Sequence, residues 1–136
     1  MSGKSVRAML LGAAICAPVA CAQDVKFFDL GRGNVPVYVP TGYDGTTPLP
    51  LIVSLHGYGG NGAGHENYFG FREHIDTYQF MLAVPSGTVD GGNRRFWNAT
   101  DACCNFFGSD VDDSGYLLAL VDAIKADCPV EERRVH

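Results

Sequence analysis

The chain has 136 residues, 46% of them hydrophobic and 18% charged, which describes one globular domain and excludes a disordered, coiled-coil or collagen-like polypeptide. Ten Lys and Arg stand against fifteen Asp and Glu, a net charge of −5, so there is no basic surface to neutralise a phosphate backbone and composition argues against a nucleic-acid partner. Eleven of the 17 glycines fall between Gly42 and Gly92, a window where positive-φ turns or close backbone approaches must concentrate.

Lys4 and Arg7 precede an apolar run from Ala8 to Ala20, and Ala20-Cys21-Ala22 fits a signal-peptidase site before Gln23. The run is too short to span a membrane. Residues 1–22 therefore read as a secretory signal, which implies an extracellular or periplasmic protein. A lipoprotein acylated at Cys21 is the weaker alternative, because Pro18 stands where an aliphatic residue is expected. Removing 22 residues leaves 114, with eight Lys and Arg against fifteen Asp and Glu, a net charge of −7. Cys103, Cys104 and Cys128 remain, an odd number in a compartment where disulfides form. Vicinal cysteines rarely bridge each other, so the expected bond joins Cys128 to Cys103 or Cys104. The third cysteine pairs outside this sequence or is buried and free.

Val35-Pro36-Val37-Tyr38-Val39-Pro40 alternates apolar residues between prolines, which suits an edge strand. Leu49 to Leu55 is nearly continuous in aliphatics, as in a strand buried on both faces of a parallel sheet. Asn67 to Tyr78 carries Tyr68, Phe71, Ile75 and Tyr78 at helical spacing, and Phe80 to Pro85 is a second buried strand, so the segment predicts a βαβ unit. Ser86 to Asp110 has no clean period and reads as an irregular surface loop held by a disulfide. From Val111 a helix is expected, with Leu117, Leu120, Val121 and Ile124 on one face, Asp112 and Asp113 in its first turn, and Cys128-Pro129 at its end. Val135 opens a third buried strand.

His56-Gly57-Tyr58-Gly59-Gly60-Asn61-Gly62-Ala63-Gly64 follows the first buried strand directly. Gly57, Gly59 and Gly62 satisfy the dinucleotide pattern G-x-G-x-x-G, but the next strand closes on Val84-Pro85-Ser86 without the required acidic residue. No Lys-Ser or Lys-Thr completes a phosphate-binding loop. An oxyanion hole is the second reading: a strand that ends in His-Gly and turns through glycines can aim a rigid backbone N–H, that of Tyr58, at the charge developing in acyl transfer. The third is a structural turn with His56 as a satisfied, half-buried histidine.

Together, Pro50 to Gly57, the strand through Ala83-Val84-Pro85, Phe96-Trp97-Asn98 with Cys103-Cys104, and Val111-Asp112-Asp113-Ser114-Gly115-Tyr116-Leu117 running on to Glu132-Arg133-Arg134-Val135 resemble the N-terminal half of secreted polyhydroxybutyrate depolymerase and feruloyl esterase type α/β-hydrolases. The resemblance spans about residues 26–136. It implies an α/β fold with a mostly parallel sheet and flanking helices over 23–136, incomplete at its C-terminal side, and a serine esterase working through a Ser-His-Asp triad without metal or organic cofactor. Its partner would be an ester substrate, polymeric in the case of a polyhydroxyalkanoate or a plant polysaccharide ester.

In that family the nucleophile lies in a Gly-x-Ser-x-Gly elbow after the strand that follows the Arg-Val step, and none of Ser54, Ser86, Ser109 or Ser114 stands between glycines in that way. The triad is thus expected beyond His136, the residues in hand are expected to be inactive alone, and only Gly57 and Tyr58 map onto the catalytic apparatus. His56, His65, His74, His136, Asp112 and Asp113 are not promoted to triad members. Trp97 is a candidate for a substrate cleft, or else an anchor for its loop. A non-catalytic binding module built on that aromatic loop is the alternative function. Asp110, Asp112, Ser114 and Gly115 match part of a calcium loop, but the twelfth position is Val121, so helix capping explains them better. Asn98-Ala99-Thr100 is a glycosylation sequon if the secretory pathway is eukaryotic. No spacing of His and Cys predicts a metal site.

Overall fold

The computed structural model describes residues 25–100 and 102–136. The proposed signal at residues 1–22 lies outside them. Seven strands form, β1 (Val25–Asp29), β2 (Asn34–Tyr38), β3 (Leu49–Val53), β4 (Met81–Ala83), β5 (Thr88–Val89), β6 (Arg95–Phe96) and β7 (Val130–Val135), with helices α1 (Gly62–Phe69), α2 (Ile75–Tyr78) and α3 (Asp113–Asp127). Among the described residues no helix is long and apolar enough to cross a membrane.

The main sheet has the order β1-β2-β4-β3-β7. Its β1–β2 and β2–β4 neighbours run antiparallel, and its β4–β3 and β3–β7 neighbours run parallel. This corrects the expected mostly parallel α/β-hydrolase sheet with flanking helices: the sheet is mixed, and α1 and α2 have only eight and four residues. The cause is local. The link from Asp29 to Asn34 is a tight turn, with the Gly31 N–H donating to Asp29 Oδ1 at 2.8 Å, and so short a link permits only antiparallel pairing. The longer crossovers from β3 to β4 and from β4 to β7 return the chain parallel.

β2 is likewise not the edge strand that its prolines suggested. It lies between β1 and β4, and Pro36 is tolerated because it falls beyond the last β2–β4 register pair, Val37 with Ala83, while its carbonyl still accepts from the Val84 N–H at 3.2 Å. The edges are β1 and β7. β7 starts at Val130, earlier than Val135 suggested, and is only partly buried.

β4 shows why its sequence reads as continuous apolar residues. Met81 and Ala83 point into the cluster under α3 with Val37, Leu51, Leu120 and Ile124, while Leu82 and Val84 point into a second cluster with Ile75 and Phe80. The strand is covered on both faces, so alternation disappears from its hydropathy. The βαβ unit β3-α-β4 forms as expected, but its crossover is broken. Gly70, at φ +67°, ends α1, a 3-10 turn covers Phe71–His74, and of the four predicted face residues only Ile75 is buried. Tyr68 and Tyr78 are exposed.

α3 forms close to where its sequence predicts, starting at Asp113. Of its expected face Leu120 and Ile124 are buried and Leu117 and Val121 half-buried, Tyr116 is buried in addition, Asp112 stands before the helix and caps it by accepting from the Gly115 N–H at 2.7 Å, and Cys128 ends it. This capping assigns Asp112 and Gly115 a helical role in place of a calcium loop.

Candidate functional site

β3 and β4 end side by side, and the chain leaves both at the same rim of the sheet. After β3, His56 is 3% exposed. The Gly87 N–H donates to His56 Nε2 at 2.9 Å, and His56 Nδ1 lies 2.7 Å from the Gly57 carbonyl. A ring nitrogen that accepts is unprotonated, so the proton sits on Nδ1 and donates to Gly57. Burial holds the His56 pKa below its ordinary value, with repulsion from Arg95 and His65 adding to it, against the opposing hydrogen bond to Gly57. Both nitrogens are occupied, which leaves this histidine no proton-transfer role and makes it a tie between the ends of β3 and β4.

Beyond it the chain makes a β-turn in which the Gly60 N–H donates to the Gly57 carbonyl at 3.0 Å. Gly59 takes φ +77° at the third position, a region that L side chains rarely adopt. Asn61 then caps α1, accepting from the Gly64 N–H at 2.8 Å. Gly62 has no room for a side chain: a Cβ there would lie 2.2 Å from the Val84 carbonyl oxygen. Its N–H donates to Ser86 Oγ at 3.1 Å, so α1 starts pressed against the end of β4.

His56, Gly57, Tyr58, Gly60, Asn61, Gly64 and His65 line a pocket of about 270 Å³. Among the described residues the Tyr58 N–H meets no acceptor. The structure thus brings Gly57 and Tyr58, the two oxyanion candidates, to the wall of one pocket. A slightly larger concavity of about 300 Å³ lies near Arg72 and Asp76, away from the glycine turn.

Trp97 takes a different place. It is half-buried with its ring 5.3 Å from that of His56, tilted by 41°, lies close to Gly87, and is not among the residues that line the pocket. Its Nε1 is buried without a hydrogen-bond partner among the described residues. The large exposed aromatics of its loop are Phe106 and Phe107.

The segment from Ser86 to Asp110 is more ordered than its lack of period suggested. β5 and β6 form a hairpin, and Asp90 organises its tip: Oδ1 accepts from the Gly92 and Arg94 N–H groups at 2.8 and 2.9 Å. Asn98 and Asn105 fasten the rest. The Asn98 N–H donates to Asp113, its side chain donates to the Val111 carbonyl at 3.0 Å, and Asn105 reaches both Asn98 Oδ1 and the Ser109 carbonyl. Asp113 is buried and is also paired with Arg32, whose guanidinium lies 4.0 Å from the centre of the Tyr116 ring.

The expected bond from Cys128 to Cys103 or Cys104 is replaced by a bond between Cys103 and Cys104 themselves. Cys128 is also a disulfide cysteine, but its bond is to neither of that pair. The reason is distance. The loop holding Cys103 and Cys104 is fastened at the N-terminal end of α3, and Cys128 caps its C-terminal end, about 22 Å away at 1.5 Å per residue. A disulfide tolerates a Cα separation of only about 7 Å. A hydrogen bond to Asp113 of α3 and others within the segment, and not a disulfide to Cys128, hold this loop.

Sequence reasoning missed Asp90 and Asn105 altogether, and read Asn98 only in a motif and a sequon, not as a fastener of its segment. The signal available for Asp90 was its place before Gly91-Gly92, the signature of an Asx turn. A scan against protein-family models finds no match, and a search of curated proteins finds no significant similarity.

Proposed function

We propose that this chain is part of a secreted carboxylic ester hydrolase in which a serine attacks the ester carbonyl and an acyl-enzyme is then hydrolysed. The observation that carries the reading is that Tyr58, a residue lining the pocket, has a backbone N–H with no acceptor among the described residues, in a glycine turn closed by the Gly60 to Gly57 hydrogen bond. A preorganised N–H of this kind stabilises the oxyanion of a tetrahedral intermediate. Gly57 and Tyr58 supply that element, and the serine, acid and histidine come from outside residues 25–136. The substrate class follows from the resemblance to polyhydroxybutyrate depolymerases and feruloyl esterases: a polyhydroxyalkanoate, or a feruloylated or acetylated plant polysaccharide.

Two measurements test the reading. The coding sequence past His136 is expected to encode Gly-x-Ser-x-Gly within about fifteen residues. Protein that includes this serine is expected to hydrolyse p-nitrophenyl esters and to take a fluorophosphonate label there, whereas residues 23–136 alone do neither. Labelling of any serine within residues 23–136 would overturn the assignment. Exposure of Phe106 and Phe107 favours a second reading, a non-catalytic module that binds through this loop. That reading requires ligand binding, lost on Phe106→Ala, in protein without esterase activity.

A further inference from the structure

The glycine turn is strapped to the hairpin that faces it, and the strap runs through the side chain of Tyr58, the pocket-lining residue whose N–H is the oxyanion candidate. The Tyr58 hydroxyl donates to Asp90 Oδ2 at 2.7 Å. The Gly59 N–H donates to the Arg95 carbonyl at 2.8 Å, so side chain and backbone bind the turn to β5–β6 at two adjacent residues. Phe106 meets the Tyr58 ring edge-on at 5.1 Å and 89°, and the Arg94 guanidinium lies 5.7 Å from its centre. Asp90 is itself rigid, because its other oxygen is committed to the Gly92 and Arg94 N–H groups.

A tyrosine side chain fixed at its far end leaves its own peptide little rotational freedom. Asp90, on a different loop, thereby adds a restraint on the direction of the Tyr58 N–H to those of the turn's own backbone hydrogen bonds. We propose that Asp90 is a positioning residue for the oxyanion donor, acting through the Tyr58 hydroxyl on the Tyr58 N–H. The inference rests on the ester-hydrolase reading for its catalytic consequence but not for its structural one. Electrostatics keep the strap closed in neutral solution. The bond to Asp90 raises the Tyr58 pKa above its ordinary value, with burial and the Asp90 charge adding to it. Burial opposes ionisation of Asp90, but the Arg94 N–H, the Tyr58 hydroxyl and the Gly92 N–H outweigh it and leave the Asp90 pKa below its ordinary value.

The test uses protein that carries its serine, with Tyr58→Phe, Asp90→Asn and the double variant. Tyr58→Phe removes only the hydroxyl and keeps both the ring and the backbone donor, while Asp90→Asn keeps an oxygen for the hairpin tip. Amide hydrogen exchange at residues 57–60 is expected to quicken in both. The kcat for a p-nitrophenyl ester is expected to fall about tenfold with KM changed less than twofold, the mark of an interaction realised in the transition state. The double variant is expected to match Tyr58→Phe, because without the hydroxyl residue 90 has no bond to Tyr58 left to lose. Unchanged exchange, a rise in KM alone, or additive losses would each overturn the proposal. Faster exchange in protein whose wild type hydrolyses no ester overturns the ester-hydrolase reading instead, and with it the catalytic part of the proposal.

Discussion

The sheet face under α3 and the rim where β3 and β4 end are held together by different forces. Under α3, Val37, Leu51, Met81, Ala83, Leu120 and Ile124 are essentially excluded from water, and burial of apolar area is the stabilising term. At the rim, the contacts that fix position are polar: His56 with Gly87, Ser86 with Gly62, Asp90 with Tyr58 and two N–H groups, and Asp113 with Asn98 and Arg32. Apolar contacts are short-ranged but tolerant of direction. Hydrogen bonds are directional, and one lost partner leaves another group unsatisfied. The first kind of region sets stability; the second sets geometry.

Substitutions in each region can break this contrast. Leu120→Ala, in the fully buried face of α3, is expected to cost about 3 kcal/mol of unfolding free energy and to leave the pocket intact, as measured by urea titration. A smaller loss than that from any rim substitution would refute the division. Asp113→Asn follows at about 2 kcal/mol, because it removes the charge partner of Arg32 while both side chains remain largely buried. It should also raise protease sensitivity between residues 98 and 110, a consequence not shared by Leu120→Ala.

Acidification probes the rim alone. The folded-state pKa of His56 lies below the 6.5 of a free histidine, so the folded protein binds fewer protons than the unfolded one. The contribution of His56 is therefore complete above pH 6.5 and is lost as pH falls from there toward the folded value. The melting temperature of wild type is expected to decline more steeply below pH 6.5 than that of His56→Asn, and parallel declines would contradict the assignment. The smallest effect is expected at Glu131→Gln on β7, where the pair with Arg134 at 3.2 Å is exposed on both sides and is worth less than about 0.5 kcal/mol.

The same contrast explains what could be read in the amino-acid order. Strands β3 and β4, helix α3, its Asp112 cap and its end at Cys128 were all legible, since burial writes periodicity and chain ends write caps. The glycine turn was legible as a tight turn because Gly57, Gly59, Gly60, Gly62 and Gly64 crowd one strand end. β1 and the antiparallel half of the sheet were not, for Val25–Asp29 is short and half-exposed and its pairing follows from a turn and not from hydropathy. The helix over Asn67–Tyr78 was misjudged because an aromatic stripe was taken for a buried face, when Gly70 breaks it and most of those rings face water. The rim was hidden because Asp90 and Asn98 act on residues far along the chain. Asp90 reaches Tyr58 across 32 positions, a separation that no local pattern encodes.

The proton on His56 Nδ1 offers a spectroscopic handle on all of this. It is held against the Gly57 carbonyl in a buried ring whose opposite nitrogen is occupied by Gly87. Such a proton exchanges slowly with solvent and resonates far from the amide envelope. A single downfield line would thus report, without any label or substrate, whether the two strand ends remain joined.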